Sequence, residues 1–213
     1  CAAMGIKYIE AYPGQQLGGG IEGEIHHSMP EESRTKLQDS LNRRNVRLVA
    51  YGVVNGKDKA DWQQIFSFAK AMGIGTVCTE PPEDALDTVC GLADEFEINV
   101  ALHNHAEPSR YWNPEAVLAA CEGRTQRLGT CIDNGHWARS GLDGVEAAKA
   151  LEGRIRWLHL KDVNAPVKAG HCVPFGLGAA GVTDLLGELR RQGYTGYSSI
   201  EYESDPGDPT PAV

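Results

Sequence analysis

The residues of this 213-residue chain that could do chemistry are acids and imidazoles that stand just after short apolar runs. They are Glu10, Glu80, His103 with His105, Asp133 with His136, His159 with Asp162, and Glu201 with Glu203. Carboxylates and imidazoles that converge from different strand ends supply the mixed oxygen and nitrogen shell of a divalent cation. Each has a plainer explanation when taken alone. A single His after a strand is commonly a satisfied loop or core residue, and a single Asp a helix cap. Asp133, before Asn134-Gly135, could simply make a turn. Glu80, beside Pro81 and Pro82, could be a helix-start carboxylate. Recurrence at successive strand ends tips the reading toward a metal site.

The elements that must position these residues repeat a simple grammar of amphipathic helix, Gly-containing turn and short apolar strand. Strands are expected at 6–11, 46–53, 76–79, 99–103, 128–132, 155–160 and 198–202, near-continuously apolar as in parallel strands buried on both faces. Between them, Trp62, Ile65, Phe66 and Ala69 fall on one helical face, and Leu86, Val89, Ala93 and Phe96 repeat the stripe. Met-Gly-Ile at 4–6 and 72–74 fits a left-handed helix C-cap followed by a strand. Thr183-Asp184, Pro114-Glu115 and Pro82-Glu83 read as helix starts. Seven strands alternating with helices predict an α/β fold, and a TIM (β/α)8 barrel lacking its first strand is favoured over a doubly wound sheet. The latter wants a Gly-rich phosphate loop after its first strand, whereas Gly18 to Gly20 read as a flexible loop. One domain over residues 1–213 is expected, with residues 18–30 forming a loop over the mouth and 206–213 a disordered tail. A seven-strand barrel would leave hydrogen-bonding edges at 6–11 and 198–202. In a barrel the chemistry sits at the C-terminal strand ends, where the acids and imidazoles lie.

Bulk properties narrow the classes. A net charge of −9 and a pI near 5.2 argue against a nucleic-acid or anionic-membrane partner. The six cysteines show no C-x-x-C pair and read as reduced thiols packed as small apolar residues. No run of 18 apolar residues marks a membrane span, and a cytoplasmic location is expected.

Asp133-Asn134-Gly135-His136, His159-Leu160-Lys161-Asp162 and Ser199-Ile200-Glu201 together resemble the xylose isomerase-like superfamily of sugar phosphate isomerases and epimerases, also called the AP endonuclease family 2 fold. The likeness runs from Gly5 to Glu203. It implies a TIM barrel with one divalent ion held by a Glu, an Asp, a His and a final Glu. On that pattern Asp133, His159 and Glu201 match three ligands, and His136 matches a residue that contacts substrate oxygens. The first ligand departs from the pattern: this chain reads Leu102-His103-Asn104-His105 where many members read Leu-Glu-Asn-His. Either His103 ligates in place of the glutamate or Glu80 replaces it. A shell with one less negative charge favours Mn²⁺, Co²⁺ or Zn²⁺ over Mg²⁺.

The resemblance implies sugar chemistry next to a carbonyl through an enediolate. Glu201 is then the base, with His103, His105 or Glu80 returning the proton, and Glu10, His136, Arg139 and Lys161 as substrate-binding candidates. Isomerisation or epimerisation is the first expectation. The lost glutamate keeps a keto-sugar dehydratase or lyase close behind, and a non-catalytic sugar-binding barrel is the third class. The nuclease branch uses extra histidines on early strands, which this chain lacks. A small sugar or keto-sugar is the expected partner, and because barrels of this family often pair, a homodimer is compatible with it.

Overall fold

Two compact units make up the chain, Cys1–Val100 and Ala101–Val213, and the computed structural model describes residues 1–204. The tail expected at 206–213 lies outside the described residues.

In the first unit a 3-10 turn (Ala2–Met4) leads into strand β1 (Tyr8–Ala11), a hairpin of β2 (Gln16–Gly18) and β3 (Ile21–Glu24), and helix α1 (Glu31–Arg43). Strand β4 (Arg47–Tyr51), helix α2 (Lys59–Met72), strand β5 (Thr76–Thr79) and helix α3 (Leu86–Phe96) follow. β1 pairs with β4 and β4 with β5, both parallel. The predicted helical stripe of α2 is the buried one: Trp62, Ile65, Phe66 and Ala69 all lie in the core. Its start is fixed by Asp58, whose carboxylate accepts the Asp61 N–H at 2.9 Å, a cap worth about 1 kcal/mol. Its end is the left-handed Gly73, as Met72-Gly73-Ile74 predicts. Phe68 adds a second buried contact, 5.1 Å from the Tyr51 ring. Each such fully buried side chain contributes roughly 2 kcal/mol of hydrophobic stabilisation.

Two local expectations change here. Residues 18–30 are not all loop, because Leu17 and Ile21 flank a glycine turn that closes an antiparallel hairpin with Gly18 opposite Ile21. Gly19 and Gly20, with φ of 60° and 82°, supply the two positive-φ positions that a tight two-residue hairpin turn requires. Pro82-Glu83 does not open an α-helix. Pro82 is held extended, the chain makes a 3-10 turn at Glu83–Ala85, and α3 begins at Leu86.

Strand β6 (Asn99–His103) crosses the division between the units. The second unit continues with α4 (Pro114–Cys121), β7 (Leu128–Asp133), α5 (Asn134–Arg139), α6 (Gly144–Ala150), β8 (Ile155–Leu160), α7 (Val182–Arg191) and β9 (Ser199–Ile200). The strands lie in the order β6-β7-β8-β9, with β7, β8 and β9 parallel. All six residues of β7 are buried, as the near-continuously apolar run 128–132 predicts for its first five. Helix α4 starts as read: Asn113 caps the Ala116 N–H at 2.9 Å and Pro114 occupies the first turn. For α7 the cap is Gly181, not Thr183, while Asp184 does sit in the first turn. The reason is Asp162, whose carboxylate takes the Ala180 N–H at 3.1 Å and brings the chain into helix before Thr183. β1, β4 and β9 are shorter than read, and β7 extends to include Asp133. The six cysteines are free, five of them buried.

Candidate metal centre

Parallel register brings the strand-end residues of the second unit level with one another. Asp133 of β7 lies opposite His159 of β8, and His159 opposite Ser199 of β9. The Glu201 N–H continues that ladder onto the Leu160 carbonyl at 2.9 Å. His103 ends β6, and because side chains alternate along an extended chain, His105 points to the same side; their rings are 4.5 Å apart.

Asp133 divides its two oxygens. Oδ1 accepts the His136 N–H at 2.8 Å and so caps α5. Oδ2 faces a crowd: Lys161 Nζ at 3.0 Å, His136 Nε2 at 3.7 Å and His103 Nε2 at 3.8 Å. The two imidazoles are beyond hydrogen-bond distance and the ammonium is not aligned as a donor, so among the described residues Oδ2 is a buried acceptor with no hydrogen bond and the Lys161 charge beside it. The Asp133 backbone is pinned from both sides by the fully buried Asn104, which accepts its N–H at 2.8 Å and donates to its carbonyl at 2.9 Å. Burial works to raise the Asp133 carboxyl, but the His103 ring and the Lys161 charge override it and hold it well below the usual carboxylate range.

Lys161 is wholly buried and serves three carboxylates: Asp133 Oδ2 at 3.0 Å, Glu203 Oε2 at 3.0 Å and Glu201 Oε1 at 3.3 Å. Burial alone would lower its pKa; these acids raise it well above the ordinary lysine range, so it is a fixed cation. Its stem lies against Gly135, where an added Cβ would meet the Lys161 Cβ, Cγ and Cδ at 2.8 Å each. The backbone of Lys161 pairs with Asn134, whose amide donates to the Lys161 carbonyl at 2.8 Å and accepts its N–H at 3.0 Å. Glu201 Oε2 stands 3.1 Å from His159 Nδ1. Burial pushes the Glu201 carboxyl up, and the His159 and Lys161 contacts more than reverse this, to about 2. Burial lowers His136 to about 4, only partly opposed by Asp133, so its ring is neutral at pH 7.

Four donor side chains, His103, Asp133, His159 and Glu201, bring ligand atoms within 4.8 Å of one another. Two imidazoles and two carboxylates suit Mn²⁺, Co²⁺ or Zn²⁺. The poorly satisfied Asp133 Oδ2 inside that ring supports the fit, since a cation would complete its shell. Counting Asp133, Glu201 and Glu203 against Lys161 and Arg139, three carboxylates to two cations, the cluster carries one negative charge. Around the ring, His136 lies 5.0 Å from His105 between ring centres, and Arg139 Nη1 reaches Glu203 Oε2 at 3.6 Å.

Of the residues singled out in the sequence, the second unit thus brings together His103, His105, Asp133, His136, Arg139, His159, Lys161 and Glu201. Glu10 and Glu80 belong to the first unit. Glu10 lies in β1 opposite Ala50, and Glu80 follows β5 with its N–H on the Asn55 side chain at 2.9 Å. Two features escape the sequence: one at the site and one away from it. Asn104, between the two histidines, has no chemistry of its own but clamps Asp133. In the first unit, the buried His27 places Nε2 at 2.8 Å from Asp61 Oδ1, and Asp61 Oδ2 also accepts the Lys57 N–H at 2.9 Å. The doublet His26-His27, just after the hairpin, is the sequence feature that marks that pair.

Known proteins share this architecture. An uncharacterized protein from Parabacteroides distasonis ATCC 8503 is 32% identical, with a TM-score of 0.75 over 94% of this chain and 81% of that one. The IOLI protein, solved with a bound zinc atom, is 18% identical with a TM-score of 0.71, over 95% of this chain and 81% of that one. The inosose dehydratase of Geobacillus thermodenitrificans (strain NG80-2) is 28% identical over 138 residues, 58% of this chain and 46% of the relative. The chain therefore spans about half the length of that curated relative. Among the described residues no helix is long and apolar enough to cross a membrane. The sequence matches the family described as xylose isomerase-like TIM barrel over residues 1–213, so the fold is an α/β TIM barrel and the chain belongs to that family.

Proposed function

We propose that this protein is a divalent-metal-dependent enzyme that enolises a keto-sugar, with isomerisation or epimerisation as the outcome. The observation that carries the reading is the convergence of His103, Asp133, His159 and Glu201 around the buried Lys161 cation. A metal ion held by those four side chains would act as a Lewis acid toward neighbouring carbonyl and hydroxyl oxygens. Glu201, ionised at neutral pH, takes the carbon-bound proton. A carboxylate held at about 2 is a weak base, so the step depends on stabilising the enediolate as its charge develops. Lys161, fixed in position and always charged, contributes to that stabilisation. His105 returns the proton, or His103 where Glu80 ligates in its place, and His136, neutral at pH 7, can hydrogen-bond a substrate hydroxyl. Glu80 remains the alternative fourth ligand or second carboxylate, and Glu10 a substrate contact.

Dehydration is the second reading, favoured by the inosose dehydratase relative and by the histidine that stands where two-glutamate epimerases carry an acid. There the same enediolate breaks the bond to a β-hydroxyl instead of being reprotonated, and the imidazole that would have returned the proton to carbon gives it to that hydroxyl, which leaves as water.

The test is a metal titration followed by incubation with keto-sugars and inososes in D₂O with Mn²⁺. Stoichiometric metal, lost in Asp133→Ala and His159→Ala, with deuterium entering the carbon next to the carbonyl, is the expected result. Retained His103→Ala and lost Glu80→Ala binding would transfer the fourth ligand to Glu80. An ultraviolet-absorbing enone product would assign dehydration. No metal at micromolar Mn²⁺, Co²⁺ or Zn²⁺ would remove the mechanism.

A further inference from the structure

We propose that Arg139 and Lys161 form a carboxylate-binding subsite, closed in the free protein by Glu203, so that the substrate is an acidic keto-sugar or other hydroxy-keto carboxylate. As a substrate address this rests on the enolising site proposed above; as an anion site it stands on these side chains alone.

One oxygen, Glu203 Oε2, meets Lys161 Nζ at 3.0 Å, Arg139 Nη1 at 3.6 Å and Cys172 Sγ at 3.9 Å. The partners differ sharply in exposure. The Lys161 side chain is 0% exposed and that of Arg139 13%, whereas that of Glu203 is 49% exposed. A surface carboxylate thus bends over one buried and one half-buried cation, and it is the member of the trio with room to leave.

The floor beneath it is fixed. Lys161 is held by Asn134 and wedged against Gly135. Arg139, at the end of α5, contacts the segment between β8 and α7, which Asp162 gathers by accepting the N–H groups of Val163, Gly176, Gly178 and Ala180.

Arg139 is also short of acceptors. Among the described residues its Nε is buried without a hydrogen-bond partner and Nη2 donates to the Cys172 sulfur at 3.7 Å, while its contact with Glu203 is long. Sulfur is a weak acceptor, and a guanidinium presents five donors suited to a carboxylate's two oxygens. Exchanging the Glu203 carboxylate for a substrate carboxylate leaves the local charge unchanged and can improve the geometry. With Glu203 displaced, Asp133 and Glu201 balance Lys161 and Arg139, so a phosphate would leave the cluster close to one charge more negative than a carboxylate does, which disfavours it. Because Lys161 also touches Asp133 and Glu201, the bound carboxylate would lie within one side chain of the donor ring.

The experiment compares D-gluconate, neutral D-glucitol and D-glucitol 6-phosphate as probes of the full chain, made metal-free with EDTA, by calorimetry and saturation-transfer NMR at pH 7. Gluconate should bind at least tenfold more tightly than either competitor. Glu203→Gln should tighten gluconate by about tenfold, and Arg139→Gln weaken it by about tenfold, the scale of one charge-assisted hydrogen bond. Arg139→Lys, which keeps the charge, should fall between wild type and Arg139→Gln, and thermal melts would establish that each variant is folded. Equal binding of gluconate and glucitol, tighter binding of the phosphate, or weakening by Glu203→Gln would overturn the proposal. Metal content measured in parallel separates the two readings. Stoichiometric metal without gluconate preference sinks the subsite alone, and gluconate preference without metal sinks the enolising reading alone.

Discussion

Lys161 Nζ and Asp133 Oδ2, both wholly buried, stand 3.0 Å apart at the centre of the candidate metal site. The pair neutralises a carboxylate that would otherwise be stranded in the core, and breaking it from one side leaves an uncompensated charge. Lys161→Met should therefore destabilise the metal-free protein by roughly 3 kcal/mol. Added Mn²⁺ should recover more of the melting temperature in this variant than in wild type, since the ion would supply the missing positive charge. Differential scanning fluorimetry with and without metal measures both effects.

Asn104 offers a different handle. It makes two hydrogen bonds to the Asp133 backbone and no contact to a ligand atom is required of it. Asn104→Ala should cost about 2 kcal/mol, because it strands a buried N–H and carbonyl. It should also weaken metal binding while leaving all four donor side chains in place. Calorimetric metal titration would expose a purely structural role by returning wild-type affinity.

Asp162 was read in the sequence as one more acid at a strand end, yet its carboxylate is spent on four backbone N–H groups between Val163 and Ala180. Asp162→Ala should release that segment. Limited proteolysis should then cut between 164 and 179 several times faster than in wild type, with far-ultraviolet circular dichroism unchanged.

The acid limb of stability has an identifiable contributor away from the site. Hydrogen bonds from Arg191 and Gln192 hold the Glu188 carboxyl at about 2, below its ordinary 4.5. A depressed carboxyl stabilises the fold above its unfolded value, and that contribution fades as the pH falls from about 4.5 toward about 2. Glu188→Gln should melt lower than wild type at pH 7 and show a shallower decline across that window. Melting curves from pH 2 to pH 7 provide the comparison.

Gly135→Ala probes the lysine wedge. A methyl group 2.8 Å from three Lys161 carbons must displace a buried side chain, at a cost of about 2 kcal/mol for overpacking. Crystallography of the variant should show Lys161 Nζ withdrawn from at least one of its three carboxylates. An unmoved ammonium would show that the backbone yields instead.

Much of this was legible because the strands are short and apolar and each ends in a polar residue of distinct chemistry. β5, β6 and β8 fall where periodicity places them, and His103, Asp133, His159 and Glu201 do converge. What was hidden depends on geometry that no local pattern encodes. The hairpin at 16–24 needs two positive-φ glycines in register, and a glycine triplet alone reads equally well as a loop. Lys161 carries an ordinary surface-charge identity, and only the parallel register of β7 with β8 and the absence of a Cβ at Gly135 turn it inward. Asn104 is silent for the same reason: its importance lies in the backbone it reaches on the next strand.

The two oxygens of Asp133 carry separate duties, one ending a helix and the other facing the site. An asparagine could inherit the first duty with its carbonyl oxygen, but it would turn an amide toward Lys161, donor against donor. Architecture and chemistry at this position are therefore separable by a single atom. Asp133→Asn is the gentlest way to take the carboxylate charge out of the candidate site while keeping the helix start. It also means that a lineage losing the chemistry could keep the helix start, so a well-formed α5 in a related sequence says nothing about whether its site still works.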